Sequence, residues 1–282
     1  MNQFSVVDDS FDISLTSSYY LSIRVAPDGF SFCVLDPIYN KFIQFKECRF
    51  HKPDHDWSQI VTRLSHEELL THPFKRKLLI VEDDVFAIVP NALFKPEKAL
   101  DLLSGTYELD VRGKQAVHNS VKMVDAVNLF LLSENLQVFI RQTIPDARVF
   151  HHVTPFVEST MLDDYRIADQ TYVHVYFRKS AFDILVMGHR ELLLANRFSF
   201  ADENEIVYFI LFVFEQLKLQ PGKTEIHLSG DIEAQSARYL MLKSYLKTVK
   251  MAVLSPHFQF GEALLPVDVT RHHLLFNSFL CV

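Results

Sequence analysis

One alternating apolar pattern occurs twice in this chain, and its recurrence narrows the folds open to it. Phe30, Phe32 and Val34 run out of a turn at Pro27-Asp28-Gly29, and Phe182, Ile184 and Val186 run out of a turn at Arg178-Lys179-Ser180, 152 positions later. Alternation of this kind marks a strand with one face on a core. Tyr19 to Val25 leads into the first turn, and Val173, Val175 and Phe177 lead into the second. Third strands follow at Lys41 to Phe50 and at Glu191 to Ala195. Buried-type strands then appear at Lys77 to Glu82 and at Thr224 to Leu228, offset by about 147. Each half thus reads strand–strand–strand–helix–strand–helix, and a duplicated α/β architecture is the expectation.

The helices carry their own start and stop signals. Asp202 with Glu205 three residues later forms a capping box, and Pro221-Gly222 ends that helix beyond Lys218. Its run Ile206 to Phe214 is apolar all round, which predicts cover on both sides, as where two sheet-bearing halves meet. Ser133 heads a helix with Leu136, Phe139 and Ile140 on one stripe, and shorter helices are expected at Trp57–Leu64, after Pro96 to about Ser104, and over 155–164. A second long helix is expected over about Glu233 to Thr248. Residues 1–18 read as a loose lead-in, and Thr106–Val117 as a polar loop before a strand at Val121 to Leu132. The segment Val269 to Val282 reads as a terminal helix packed on the second half. The expected domains are 1–168, with 1–18 as lead-in, and 169–282.

Composition removes several classes of function. With 28 basic against 35 acidic residues the net charge is −7, which disfavours binding nucleic acid by phosphate neutralisation. Seven glycines, no two closer than eight positions, leave neither G-x-G-x-x-G nor G-x-x-x-x-G-K-[ST]. Cys33, Cys48 and Cys281 show no C-x-x-C spacing, so no disulfide framework or zinc knuckle is implied. The first twelve residues hold no Lys or Arg, and the longest apolar run is nine residues, half of what a bilayer crossing needs. No signal peptide and no transmembrane segment are expected, and the cytoplasm is the default compartment.

Taken together, the hairpin of 173–186, Arg197 after the third strand, the apolar helix of 203–218, and Leu228-Ser229-Gly230-Asp231 resemble the actin-like ATPase superfamily of actin, Hsp70 chaperones and sugar kinases. The second half is similar to its assembly members, the PilM and type II secretion L proteins. Pro90 to Phe94, His151-His152 with Thr154-Pro155, and the LSGD run make the whole chain similar to a bacterial family, domain of unknown function 3822. The resemblance implies a duplicated ribonuclease-H-like fold of two mixed sheets flanked by helices. It also implies an Asp-x-Gly turn after the first strand of each half, the Asp for metal or water and the Gly for phosphate. Here those positions fall on Arg24 and Ala26, and near Tyr176 and Arg178, while the adenosine-side Gly-Gly pair is reduced to Ser229-Gly230. Magnesium needs carboxylate oxygens and phosphoryl transfer needs that metal, so ATP hydrolysis by the family route is disfavoured. No cofactor is called for, although ATP is the ligand the resemblance would suggest.

The candidate ligand-binding residues are Arg24, Asp28, Tyr176, Arg178, Ser229, Gly230 and Asp231. Arg24, Asp28 and Arg178 would lie near the mouth between the halves, where two arginines hold an anion without metal, or else form ion pairs between the halves. Ser229-Gly230-Asp231 either lets a ligand approach the backbone or serves only as a turn, with Asp231 capping a helix. His51-x-x-x-His55-Asp56 is the best-spaced metal candidate, yet it lies in a loop, and neighbours such as His151 and His152 point to opposite faces of a regular strand. Catalytic and metal-ligating residues are therefore expected to be absent. A non-catalytic scaffold or adaptor with an unidentified protein partner is the leading expectation, and a homo-oligomer is compatible with it. The alternative is a protein that binds a nucleotide or metabolite in the cleft between the halves without metal-dependent hydrolysis.

Overall fold

The computed structural model describes residues 2–52, 55, 57–164 and 170–281, with backbone only at 163 and 164. These fall into two compact units: one of Met1–Phe156, Ser255–Val267 and Leu275–Val282, the other of Val157–Leu254 and Asp268–Leu274. The domain boundary expected at 168 lies outside the described residues.

In the first unit the strands are β1 (Asn2–Val7), β2 (Tyr20–Ala26), β3 (Gly29–Asp36) and β4 (Lys41–Arg49), followed by helix α1 (Ser58–Leu64) and β5 (Arg76–Val81). Next come β6 (Phe86–Pro90), α2 (Ala99–Ser104), β7 (Lys114–Val121), β8 (Ala126–Ser133), α3 (Glu134–Thr143), β9 (Arg148–His151) and the start of α4 (Val153–Asp164). The main sheet runs β1-β4-β3-β2-β5-β9. Alternate residues Leu21, Ile23 and Val25 of β2 and Phe30, Phe32 and Val34 of β3 reach one core with Ile60, Leu64, Leu136 and Phe139 from α1 and α3. A second sheet, β6-β8-β7, packs Val127, Leu129 and Leu131 against Ala99 and Leu103 of α2.

In the second unit β10 (Thr171–Phe177), β11 (Ala181–Gly188), β12 (Glu191–Ser199), α5 (Glu203–Gln216), β13 (Glu225–Gly230), α6 (Ala237–Tyr245) and β14 (Val249–Met251) follow in order. Its sheet runs β12-β11-β10-β13-β14. The path β4-β3-β2-β5-β9 has the same order, with the first two pairings antiparallel and the last two parallel in both units. Gly29–Asp36 and Ala181–Gly188 differ by 152 at both ends. The duplication is present in topology, not only in pattern.

Several expectations are corrected. Residues 2–7 are not a loose lead-in but a strand, because they pair with β4 in unbroken register from Asn2↔Arg49 to Val7↔Gln44. The expected loop before 117 contains β7 from Lys114, held by its hydrogen-bonded ladder to β8. Helix α6 begins only at Ala237, where the Ser236 hydroxyl accepts the Tyr239 N–H. Asp202 caps α5 as expected, with its carboxylate accepting the N–H groups of Asn204 and Glu205, while Glu205 takes the Ala201 N–H.

That α5 helix is not covered on both sides. Ile206, Ile210, Val213 and Phe214 are buried, whereas Tyr208 is 63% and Phe212 is 42% exposed. Tyr208 and Phe212 lie about half a turn around the helix from the core stripe and stack on each other at 6.4 Å, so apolar character there does not report cover.

The chain then forms β15 (Gln259–Phe260), which adds to β4, and α7 (His273–Asn277). The terminal segment is divided: Asp268–Leu274 belongs to the second unit, as expected, whereas the chain from Leu275 belongs to the first. Phe276 meets Phe42 at 4.7 Å and Phe260 at 5.1 Å, Phe279 meets Tyr20 at 6.0 Å, and the Ser278 and Ser22 hydroxyls lie 2.8 Å apart. An aromatic cluster around Phe42 supplies the cover that the sequence pattern could not assign.

Candidate functional site

The ends of the parallel strands are where ligands bind in sheets of this kind, and both units close theirs with a hydrogen bond of the same kind. The residue after the fourth strand donates its N–H to a carbonyl at the end of the first strand. Glu82 donates to Val25 at 2.8 Å, and Asp231 donates to Phe177 at 2.8 Å. Glu82 and Asp231 occupy matching places one residue beyond β5 and β13.

In the first unit Arg24 points at Glu82. Its Nε donates to Oε2 at 2.7 Å and its Nη2 to Oε1 at 2.8 Å, with the two side chains 13% and 4% exposed. Asp28 stands 3.6 Å from the same guanidinium, and its carbonyl accepts the Phe50 N–H. In the second unit Arg178 pairs with Asp183 on β11 at 3.0 Å. Each arginine pairs with an acid of its own half. Tyr176 is buried in β10, as is Ser229 in β13.

Gly230 has φ +84°, and a Cβ there would stand 2.1 Å from the Phe177 carbonyl oxygen. Glycine is required at this turn by backbone packing alone. Its N–H donates to Thr270 at 3.1 Å, and its carbonyl accepts the Ile232 N–H.

Beside this turn the second unit has a pocket of about 620 Å³, lined among others by Glu203, Gly230, Asp231, Ser236, Arg238 and Arg271. Arg238 grips Glu203 with two bonds of 2.8 and 2.7 Å, donates to the Asp231 carbonyl at 3.1 Å, and lies over the rings of Phe177 and Phe200. That guanidinium holds the Glu203 carboxyl below its ordinary range. Arg271 bonds Asp231 at 2.7 Å. Burial pushes the Asp268 carboxyl up, against the Thr270 N–H that draws it down. The pocket thus presents two arginines, each already facing an acid. Asp231 does not cap α6; Ser236 does.

Four of the site's residues, Glu82, Glu203, Arg238 and Arg271, carry no local signal in the sequence. Glu82 was read as the tail of a strand, although the repeat sets it level with Asp231. Glu203 and Arg238 sit on two helices 35 positions apart, and Arg271 lies 40 positions from Asp231, so no local spacing announces them.

The histidines behave differently from one another. His151 ends β9, so strand alternation stops there and its ring lies 4.4 Å from that of His152. Both are buried. The His151 Nε2 faces the Asp83 carbonyl at 3.2 Å, so it carries the proton, and Nδ1 accepts from Asn128 at 3.3 Å. His151 is thus a histidine satisfied by the core. Asp56 of the His51 cluster is outside the described residues, and among those described no group of three or more His, Cys, Asp or Glu is placed to hold a metal. No described helix is long and apolar enough to cross a membrane.

A family model described as "Protein of unknown function (DUF3822)" matches residues 8–249. The chain belongs to the DUF3822 family. Among solved structures it is similar to a Bacteroides thetaiotaomicron protein with actin-like ATPase fold and unknown function, at 25% identity and a TM-score of 0.74, over 86% of this chain and 93% of that one. It is also similar to a chain of the PilM–PilN type IV pilus biogenesis complex, at 8% identity and a TM-score of 0.56, over 91% of this chain and 96% of that one. No curated protein matches the sequence. The fold of this DUF3822 member is the actin-like ATPase fold, as its two equally ordered sheets had indicated.

Proposed function

We propose that this DUF3822 protein is a non-catalytic, actin-like scaffold or adaptor that binds a protein partner. One observation carries the reading. The polar groups at the strand ends, where a triphosphate and its metal would be held, are engaged within their own halves: Arg24 by Glu82, Arg178 by Asp183, and the N–H groups of Gly230 and Asp231 by Thr270 and Phe177. A guanidinium at position 24 does not fit magnesium, which takes carboxylate oxygens. Binding phosphate would require breaking a buried, two-pronged ion pair. The similar PilM–PilN structure is a complex of two proteins, which makes a protein partner the natural use of the same framework. Titration calorimetry with ATP and magnesium is expected to show no binding and no turnover. Micromolar binding with measurable turnover would overturn the reading.

The pocket beside Gly230 favours a second reading, a metabolite or nucleotide bound without metal. Its ligand would compete with Asp231 for Arg271 and bring its own acceptors to that guanidinium. A thermal-shift screen of nucleotides and phosphorylated metabolites at millimolar concentration checks it. A rise in melting temperature that Arg271→Ala removes supports this second use; no rise with any of them ends it.

A further inference from the structure

Sheet edges are open templates for another strand, and proteins blunt them with charge, proline, bulges or cover. Most edges of this molecule are blunted. On β9 the Asn119 side chain takes both the Val149 carbonyl and the His151 N–H. The β6 edge ends in Pro90, and the Tyr107 hydroxyl covers its Phe86 carbonyl. The β7 edge starts on Lys114. The β12 edge carries Glu191 and Arg197 and a register shift against β11, and β14 has three residues.

The β1 edge has none of these devices. Asn2–Val7 contains no charge and no proline, and its register with β4 is unbroken. Among the described residues nothing pairs on its outer side. The Asp8 N–H donates to Ile43, which continues the same register, so the even-numbered residues bond β4 and the N–H and C=O groups of Gln3, Ser5 and Val7 point outward. Phe4 is 41% and Val7 is 48% exposed.

We propose that two copies of this chain pair edge to edge through β1, antiparallel, with Ser5 opposite Ser5 on the two-fold axis. In that register the outward groups of Gln3 meet those of Val7 in the second copy, and all three outward positions find partners. Phe4 falls opposite Val6 of the second copy, on the face where Phe4 already leans on Phe45 at 6.1 Å. An aromatic ring against a β-branched residue is a favourable cross-strand pair. No like charges meet within the strand, although each copy carries a net −7. Two six-residue strands bury less than the roughly 1,200 Å² of a standard stable interface, so the dimer is a weak one that forms only at high concentration. The surface is separate from the strand-end groups that underlie the proposed function.

Sedimentation velocity over a concentration series tests it. The wild type is expected to pass from monomer to dimer as loading rises to about 500 μM. Ser5→Lys sets two lysines against each other on the axis, and Ser5→Pro deletes an N–H that β4 does not use. Each is expected to weaken association at least about tenfold with the melting temperature unchanged. On a Cys281→Ser background, Ser5→Cys is expected to cross-link on oxidation, because a hydrogen-bonded antiparallel pair sets Cα atoms about 5.5 Å apart, within reach of a disulfide. Gln3→Cys faces Val7 and is expected not to. A wild type that stays monomeric throughout, a Ser5→Lys variant that associates as well as wild type, or Gln3→Cys cross-linking as readily as Ser5→Cys would each overturn the proposal.

Discussion

The two halves share a sheet order and part company in how they close it. Beyond the fourth strand each carries an acid whose N–H bonds the end of the first strand, and each acid receives an arginine. In the first half the arginine is Arg24, from inside the sheet, and the pair is nearly buried. In the second it is Arg271, from the far end of the chain, and the side chains of the pair are 28% and 43% exposed. The first half has sealed its strand ends with a buried charge pair. The second keeps a pocket there, bordered by a surface pair that solvent screens. Duplicated frameworks can therefore retain every strand while their sites diverge, since the ladder depends on backbone pairing and the site on a few side chains at strand ends.

The largest expected effect comes from breaking the buried pair. Arg24→Ala strands the Glu82 carboxylate away from water, and removing one partner of a buried ion pair costs about 3–5 kcal/mol. Trp57 is the single tryptophan and is buried in the first unit, so its fluorescence follows that unit during denaturation. A midpoint shift equivalent to less than about 1 kcal/mol would mean that Arg24 and Glu82 do not close the first half. Replacing both residues by methionine is expected to recover more than half of the loss, because the uncompensated charge disappears.

Acid should act on the other half. On the second face of its sheet His174 and His227 lie with ring centroids 4.9 Å apart, where the matching strands of the first half carry Ser22 and Leu78. Burial pushes the His273 imidazole from 6.5 down to about 4; the Val253 carbonyl opposes the shift, and charge on His174 and His227 adds to it. A depressed pKa means that the unfolded chain takes up the proton first. The stability this neutral histidine supplies is present above pH 6.5 and is lost as pH falls through about 4, a loss of about 3 kcal/mol. Denaturation followed by circular dichroism at pH 7 and pH 4, in wild type and His273→Gln, checks the sign. A variant as acid-sensitive as the wild type would remove His273 as the cause.

What the sequence disclosed follows the same division between ladder and site. Alternation at Phe30-x-Phe32-x-Val34 and its repeat revealed the hairpins, because one buried face imposes a period of two. β1 stayed hidden since its residues are mostly exposed on both faces, and strand pairing without burial leaves no pattern. The apolar run of α5 overstated its cover, as aromatic rings stack on one another at the surface. Arg24, Arg178 and Asp231 were legible as charges at strand ends. Their partners were not, because Glu82, Asp183 and Arg271 are brought to them by sheet register and by the return of the terminal segment.

The smallest effect is expected at the exposed pair, and it separates a structural contact from a ligand contact. Arg271→Ala removes a bond between partly solvated groups, which is worth about 0–1 kcal/mol, and Asp231 keeps its backbone bond to Phe177. Trp57 fluorescence should leave the first unit's midpoint unmoved, and circular dichroism should show at most a slight loss in the second. Asp231→Asn is expected to behave alike in stability while weakening the hold on Arg271, so the guanidinium becomes more available to an anion. If Arg271→Ala instead destabilises the protein as strongly as Arg24→Ala, the two halves are closed in the same way, and the contrast between a sealed strand end and an open one fails.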